Sequence, residues 1–460
     1  MTGREILFAA LRNGLTPRPA WVPFVGVHGG RLIGAKASDY LRSADLMVEG
    51  LTRAVARYRP DGIPMLFDLQ LEAEAMGCGL AWADETPPSV KTHPLEGGGS
   101  LAQLAPFDLG AGRLPLAFEV TRRMRAAVGE EVGIYGLICG PFTLAMHLMG
   151  NDLFMQMYDH PDYVKAVVGY GAAIGCKMAQ AYIEAGADVI AVVDPMTSQI
   201  SPEHFTEFAT PYVNQIFDAV RERGRFSSLF VCGDASRNLS EMAKTACDNL
   251  SIDENIPLAL LRDTSRTTGK SFGGNLKLTS VLLFGDEDDS RLDAIRCIDV
   301  AGSAGFILAP GCDLPYAVPP QNLEAVAEMV HDGYRREICK RTIIAKQVRE
   351  AACDLPERYD TLPHVRVDVV TLDSASCAPC QYMMEAVHRA AAAFGAPVEI
   401  REHRIATREG LAAMQRLGVR NLPTICVDGQ VAFASIIPDL RTLVARLEAA
   451  AQAKTPNAQR

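Results

Sequence analysis

The sequence predicts an α/β protein in which a (β/α)8 TIM barrel is followed by a second, smaller α/β domain. Three observations predict it. From residue 20 to about 310, short β-rich runs alternate with longer helical patterns, the mark of a parallel sheet. Those runs number eight, which fits a sheet closed into a barrel better than an open one. Beyond a stretch broken by prolines, a new series of strands and helices begins in βαβαββα order.

The eight barrel strands are expected near Val22 to Val27, Gly62 to Phe67, Val132 to Ile138, Asp188 to Val193, Phe226 to Val231, Asn249 to Ile252, Ser271 to Gly274 and Gly305 to Leu308. Between them the helices are well marked. Ser201-Pro202-Glu203 supplies an N-cap and a first-turn proline, after which Val213, Ile216, Phe217 and Val220 repeat at helical spacing. Leu323, Val326, Ala327 and Val330 repeat the pattern behind Pro319 and Pro320. Gln70 to Glu131 reads as an insertion between the second and third strands, and its Glu96-Gly-Gly-Gly-Ser100 as a flexible loop. The last barrel helix is expected to run on from Arg335 to Cys353. Asp354 to Pro363, with two prolines, then breaks it, giving a barrel over 1–350, a linker over 351–363 and a small domain over 364–460.

In that small domain Val365, Val367 and Val369 alternate with Arg366 and Asp368, which predicts a half-buried strand. A helix to Phe394, a strand near Val398 to His403 and a helix near Glu409 to Leu417 follow. Asp428-Gly429 reads as the hairpin turn between two final strands, and a last helix starts at Asp439.

Composition narrows the function classes. Hydrophobic residues make up 48% and charged residues 22%, enough for a sizeable core. A net charge of -10 argues against nucleic acid or an acidic membrane as the main partner. The stretch Met1 to Ala10 mixes charge with too short an apolar run for a signal peptide or a membrane span, so a cytoplasmic protein is expected. Twelve irregularly spaced cysteines read as reduced thiols, with Cys78, Cys176, Cys247, Cys297, Cys339 and Cys353 structural.

Two other cysteines end apolar runs beside glycine: Cys232-Gly233, and Cys312 in Pro310-Gly311-Cys312-Asp313. In a parallel barrel the carboxyl ends of strands carry the chemistry, so the two thiols would share one mouth and suit a soft metal, most plausibly zinc. Two buried, inert cysteines are the equally weighted bland reading. His28, Asp68, Cys139, Asp194, Asp253 with Glu254, and Asn275 stand at the other strand ends. His28 and His147 are read first as packing residues, and Asp194 as the cap of a turn before Pro195.

Ser376-Cys377-Ala378-Pro379-Cys380 falls at a strand-to-helix junction. Unpaired N–H groups at the helix start would stabilise Cys377 as the nucleophilic thiolate, and Cys380, one turn on, would resolve the mixed disulfide. Half of a zinc knuckle is the other reading, and there is no second Cys-x-x-Cys to complete one. Leu422-Pro423-Thr424 resembles the loop of thioredoxin-like proteins in which a cis proline packs beside the disulfide. The chain from Pro363 onward resembles a thioredoxin-fold domain, departing from it at Ala378 and Cys426.

Ile138-Cys-Gly-Pro-Phe-Thr-Leu-Ala-Met-His-Leu-Met-Gly150, Ser201-Pro-Glu-His-Phe205, Val231-Cys-Gly233 and Pro310-Gly-Cys312 resemble, in that order, the uroporphyrinogen decarboxylase superfamily. The resemblance covers residues 1 to about 340. It is closer to the methylcobamide methyltransferases: where the decarboxylases carry an Arg-rich segment, Gly26-Val-His-Gly-Gly-Arg31 has one Arg. The methyltransferases hold zinc through His-x-Cys and a later Pro-Gly-Cys. Cys232 and Cys312 match both cysteines, while Phe230 stands at the His position. A third ligand would then come from Glu254, Asp194, His28 or His147, with Glu254 preferred. The resemblance implies a zinc-dependent methyltransferase that works with a corrinoid protein or a small-molecule methyl donor and acceptor. His28, Asp68, Asp194 and Asn275 would line its substrate site. The attached Cys377/Cys380 dithiol, with its own thiol partner, would keep the barrel thiols reduced. The alternatives are a decarboxylase of polycarboxylates, or a non-catalytic ligand-binding barrel attached to a thiol oxidoreductase.

Overall fold

A computed structural model describes residues 1–302, 304–343, 353–375 and 377–454. The chain divides into two compact units, Met1–Lys346 and Gln347–Arg460. In the first, eight strands lie in the chain order Ala20–Trp21, Gly62–Pro64, Gly133–Cys139, Val189–Val193, Phe226–Val231, Asn249–Ile252, Ser271–Leu276 and Phe306–Pro310. Each pairs in parallel with its sequence neighbour, and the first with the eighth. Only the first and second lack a ladder, and there the Asp61 amide donates to the Trp21 carbonyl at 2.8 Å. The result is a nearly closed eight-stranded parallel barrel. Its wall is buried on both faces, which is why the strands read as continuous apolar runs.

Inward-facing Val22, Tyr135, Leu137, Val189, Ala191, Ile307 and Ala309 fill the barrel, and Leu7 and Leu11 of the Gly3–Leu11 helix pack beneath them. At that lower end two strand-start carboxylates are neutralised. Asp61 accepts from Arg18 at 2.5 and 2.8 Å, and Asp188 from Arg4 at 2.7 Å and Arg125 at 3.1 Å.

Several expectations are corrected here. The first strand is Ala20–Trp21, ending before the expected Val22–Val27 begins, because Pro23 has no N–H for the ladder and Gly26 turns the chain at φ 41° into the His28–Ile33 helix. The second strand stops at Pro64, not Phe67. Gln70 to Glu131 is not all insertion: the Leu114–Val128 helix, which buries Leu114, Ala117, Phe118, Val120 and Met124, stands where the barrel's own helix between the second and third strands belongs. The glycine loop is tied down, not slack. Gly97 N donates to Asp152 at 3.3 Å, Tyr163 to the Gly99 carbonyl, and Ser100 caps a short 3-10 turn. The last helix spans Gly333–Thr342, and its expected continuation toward Cys353 lies across 344–352, outside the described residues.

The second unit has the order Val365–Thr371 strand, Ala378–Phe394 helix, Val398–Arg404 strand, Arg408–Arg416 helix, strands Thr424–Val427 and Gln430–Ala434, and Leu440–Lys454 helix. The first of its strands lies between Val398–Arg404, parallel, and Thr424–Val427, antiparallel. Gln430 pairs with Val427 across the Asp428-Gly429 turn. The Val365–Thr371 strand is buried on both faces, against the half-buried expectation. Its polar face is covered because Asp368 accepts from His403 at 2.8 Å, Tyr359 at 2.8 Å and Arg366 at 2.9 Å. A buried carboxylate is tolerated when its oxygens are satisfied in this way.

Candidate functional site

Cys232 follows the fifth strand directly and Cys312 follows the eighth by two residues. Their sulfurs meet at 3.0 Å. Both are half-buried and rest on the barrel core, on an aromatic floor of Phe24, Phe67 and Phe230. The ring centroids of that trio lie 5.3 Å (Phe24–Phe230), 5.7 Å (Phe24–Phe67) and 6.2 Å (Phe67–Phe230) apart. Phe230 therefore does structural work at the position where the resemblance calls for a ligand. Hydrogen bonding with Cys312 raises the Cys232 thiol well above its ordinary pKa; burial and the Asp253 and Asp313 carboxylates add to it. As it stands, this sulfur is a protonated thiol at neutral pH.

Glu254 lies beside the turn that carries Cys312: a Cβ at Gly311 would come within 2.9 Å of Glu254 Oε2. That oxygen accepts from the Leu278 amide at 2.6 Å, and burial followed by the neighbouring Asp253 raises the carboxyl to about 8. Asp253 accepts from Gly233 at 3.0 Å and from Asn255 at 2.9 Å, which locks the loop below Cys232. Among the described residues, no three His, Cys, Asp or Glu side chains gather closely enough to hold a metal ion. Glu254 is thus near the turn that carries Cys312 without forming a three-donor cluster with the thiols, and Leu278 holds one of its oxygens.

The other anticipated residues have identifiable partners. His28 is buried, with Nδ1 3.2 Å from the Tyr316 carbonyl and Nε2 2.7 Å from the Tyr58 hydroxyl; burial lowers its pKa to about 4. Both ring nitrogens are engaged, so it stays neutral and is no ligand as placed. His147 is buried in the Pro141–Met149 helix, and burial lowers its pKa to about 3. Asp194 accepts from the Thr143 hydroxyl at 2.6 Å, the Thr143 amide at 2.8 Å and the Phe142 amide at 3.3 Å. It caps the start of that helix across the barrel rim rather than a local turn before Pro195. Asn275 donates its amide to the Ile256 carbonyl at 2.7 Å and the Asp253 carbonyl at 3.2 Å, bracing the loop after the sixth strand. Asp68 accepts from the Gln70 amide at 2.9 Å and from Arg113 at 2.5 Å.

Two features escaped the sequence reading. Asp313 Oδ1 is shut off from solvent without a hydrogen-bond partner, directly after Cys312; Gly26 is glycine there because any Cβ would collide with this carboxylate. The second is a buried polar knot beside the third strand. Arg113 binds Glu74 at 2.7 Å as well as Asp68, and its guanidinium lies 4.7 Å from the Trp82 ring. Glu72 accepts from the Cys139 amide at 3.0 Å through Oε1 while Oε2 has no partner, and burial raises its pKa to about 8. With its folded pKa above the unfolded one, Glu72 binds its proton more tightly in the native state. Its contribution is complete below about 4.5 and is lost as pH rises toward 8. Urea unfolding across that range should show Glu72→Gln losing less stability with pH than the parent; parallel curves would contradict the assignment.

In the second unit Cys377 and Cys380 form a disulfide. Cys377 is the half-buried N-cap of the Ala378–Phe394 helix, and Cys380 is buried, with the Leu372 amide 3.4 Å from its sulfur. Ser376 lies outside the described residues. The Leu422–Pro423 peptide is cis, and Pro423 accepts at its carbonyl from the Ser435 amide at 2.8 Å. Cys426, on the strand beyond, is buried opposite Asp368 and pushed up to about 12 by burial.

Comparison with known proteins gives the following. The uroporphyrinogen decarboxylase (URO-D) family model matches residues 2–333. Methylcobamide:CoM methyltransferase MtbA of Methanosarcina acetivorans is 30% identical over 271 residues, 58% of this chain and 78% of that protein. Methylcobamide:CoM methyltransferase MtaA of Methanosarcina barkeri is 31% identical over 320 residues, 66% of this chain and 88% of that protein. Uroporphyrinogen decarboxylase of Nitrosomonas europaea is 26% identical over 312 residues, 65% and 86% of the two chains. A solved structure described as a methyltransferase from Methanosarcina mazei superposes with a TM-score of 0.67 at 26% identity, covering 73% of this chain and 99% of that one.

Proposed function

The chain belongs to the uroporphyrinogen decarboxylase family, and from that premise we propose that its barrel is a zinc-dependent, corrinoid-linked methyltransferase. The observation that carries the reading is the meeting of Cys232 and Cys312 at 3.0 Å above the barrel core. Two sulfur donors suit a thiophilic cation, and Asp313, next in sequence to Cys312, keeps a buried carboxylate oxygen without a partner. Cys232 and Cys312 would hold zinc, and a third protein donor, Glu254 or Asp313, would have to move toward the pair when the ion binds. When bound, zinc would lower the pKa of a coordinated thiol and so supply a thiolate for methyl transfer.

The chain's own residues account for the rest. Phe24, Phe67 and Phe230 close the floor under the sulfurs and keep water from that side. Asp253 and Asn275 fix the loops from which the thiols project. Asp68, buried and held by Arg113 beyond the second strand, would shape the acceptor site from behind, with His28 and Asp194 at the same rim. The methyl donor would be a corrinoid protein or a free methylated corrinoid. The two methylcobamide:CoM methyltransferases among the relatives support this over decarboxylation.

For the second unit we propose a thioredoxin-like thiol–disulfide module over 364–460, joined by the linker 351–363 to a barrel over 1–350. Its element order, the Cys377–Cys380 disulfide at a helix start and cis Pro423 support that reading. Cys377 would attack a thiol partner's disulfide and Cys380 would resolve it.

Methylcobalamin and a small thiol, mixed with the zinc-loaded, reduced protein, test the barrel reading. The visible spectrum should shift as cobalt loses its methyl group, with one methyl thioether formed per turnover. Loss of carbon dioxide from a porphyrinogen polycarboxylate, with no demethylation, would favour the decarboxylase instead.

A further inference from the structure

We propose that Cys232 and Cys312 form a reversible disulfide with each other, and that the substrate of the Cys377/Cys380 dithiol is this disulfide of its own protein. The inference rests on the thiol-exchange reading of the second unit. It holds whether or not the barrel pair also carries zinc.

The geometry singles out this pair. Its sulfurs, from residues 80 apart in sequence, lie 3.0 Å from each other, roughly 1 Å beyond the length of a disulfide bond. Other free thiols among the described residues contact non-sulfur partners: Cys78 the His147 carbonyl, Cys139 the Gly140 carbonyl, Cys247 the Thr245 hydroxyl, Cys297 Arg296 and Cys353 Arg416. An oxidant reaching the mouth of the barrel therefore has a defined product. Hydrogen peroxide takes one sulfur to the sulfenic acid and releases water. The neighbouring thiol displaces a second water, and two thiols have lost two electrons and two protons to one peroxide. Closing the bond at once spares the site the irreversible sulfinic state.

Reopening is balanced by the second pair. Cys377, half-buried at the helix start, would attack this disulfide, and one barrel sulfur would leave as a thiolate that takes up a proton. Buried Cys380 then attacks the Cys377 sulfur and frees the second barrel thiol. Two electrons have moved, and Cys377–Cys380 remains as the disulfide. A small external dithiol regenerates the module.

The test uses the full chain, stripped of metal and treated with stoichiometric peroxide, with thiols alkylated and peptides read by mass spectrometry. A Cys232–Cys312 linked peptide should appear. A limiting dithiol should then clear it at least tenfold faster in the parent than in a Cys377→Ser, Cys380→Ser variant. The Cys380→Ser variant alone should trap Cys377 in a mixed disulfide with Cys232 or Cys312, and that species should vanish in a Cys232→Ser, Cys312→Ser background. Absence of the linked peptide, or equal clearance in parent and variant, overturns the inference. Insulin reduction separates the two layers. Activity on insulin with none on the barrel pair defeats this inference alone, and no activity on either also defeats the thioredoxin-like reading. Zinc content of the reduced parent, measured in parallel, reports on the methyltransferase reading separately.

Discussion

A Cys232→Ser, Cys312→Ser double variant is expected to lose its zinc, from about one ion per chain to under a tenth, and with it about a thousandfold in methyl transfer. The reasoning is local. Serine keeps the size of the side chain, so the aromatic floor of Phe24, Phe67 and Phe230 beneath the pair stays packed. What changes is the donor: a neutral hydroxyl in place of a thiol is a poor partner for a soft cation. Each single variant leaves one sulfur, so both should retain weakened binding. The measurement is elemental analysis of anaerobically prepared protein beside a methylcobalamin assay. If the double variant keeps full activity, the sulfurs are inert packing and the methyl-transfer mechanism has no centre.

The second large effect concerns stability. Arg113→Ala should destabilise the barrel unit by about 3–5 kcal/mol, lowering its thermal midpoint on the order of 10 °C. Asp68 is wholly buried, its pairing with Arg113 is 2.5 Å, and the same guanidinium serves Glu74 and stacks on Trp82. Removing it strands a buried carboxylate with only the Gln70 amide. Arg123→Ala is the matched control, since its pairs with Asp45 and Glu119 are exposed and its loss should leave the midpoint unchanged. Equal midpoints for both variants would show that the Asp68 pair is not the strut the geometry indicates.

How much of this was legible follows from what each feature depends on. Buried parallel strands announce themselves as apolar runs, so seven of the eight were located and the first was set just too late, on Val22–Val27 instead of Ala20–Trp21. Their ends were not, because the apolar stretch through Val27 continues past Pro23 with no change of pattern. The convergence of Cys232 and Cys312 could be anticipated, since both end strands of one barrel and the topology leaves them a single rim. Partnerships could not. Asp68 looks like a free strand-end carboxylate until the fold brings Arg113 to it from 45 residues away, and Asn275 and His28 look available until Ile256, Tyr58 and Tyr316 are seen to take their polar atoms. Asp313 was passed over although it adjoins Cys312; the glycine at position 26 was its sequence trace, legible only once the two were known to touch. The alternation of Val365, Val367 and Val369 with Arg366 and Asp368 gave the strand but not its burial, because Asp368 is satisfied out of water by Arg366 on its own strand and His403 on the next.

The most direct measurement of the central claim is the X-ray absorption spectrum of the zinc-loaded protein at the zinc edge. Two sulfur scatterers at about 2.3 Å with lighter oxygen or nitrogen donors at about 2.0–2.2 Å are predicted, the sulfur shell disappearing in the double serine variant. A spectrum of nitrogen and oxygen donors alone, with Cys232 and Cys312 still open to alkylation, would contradict it.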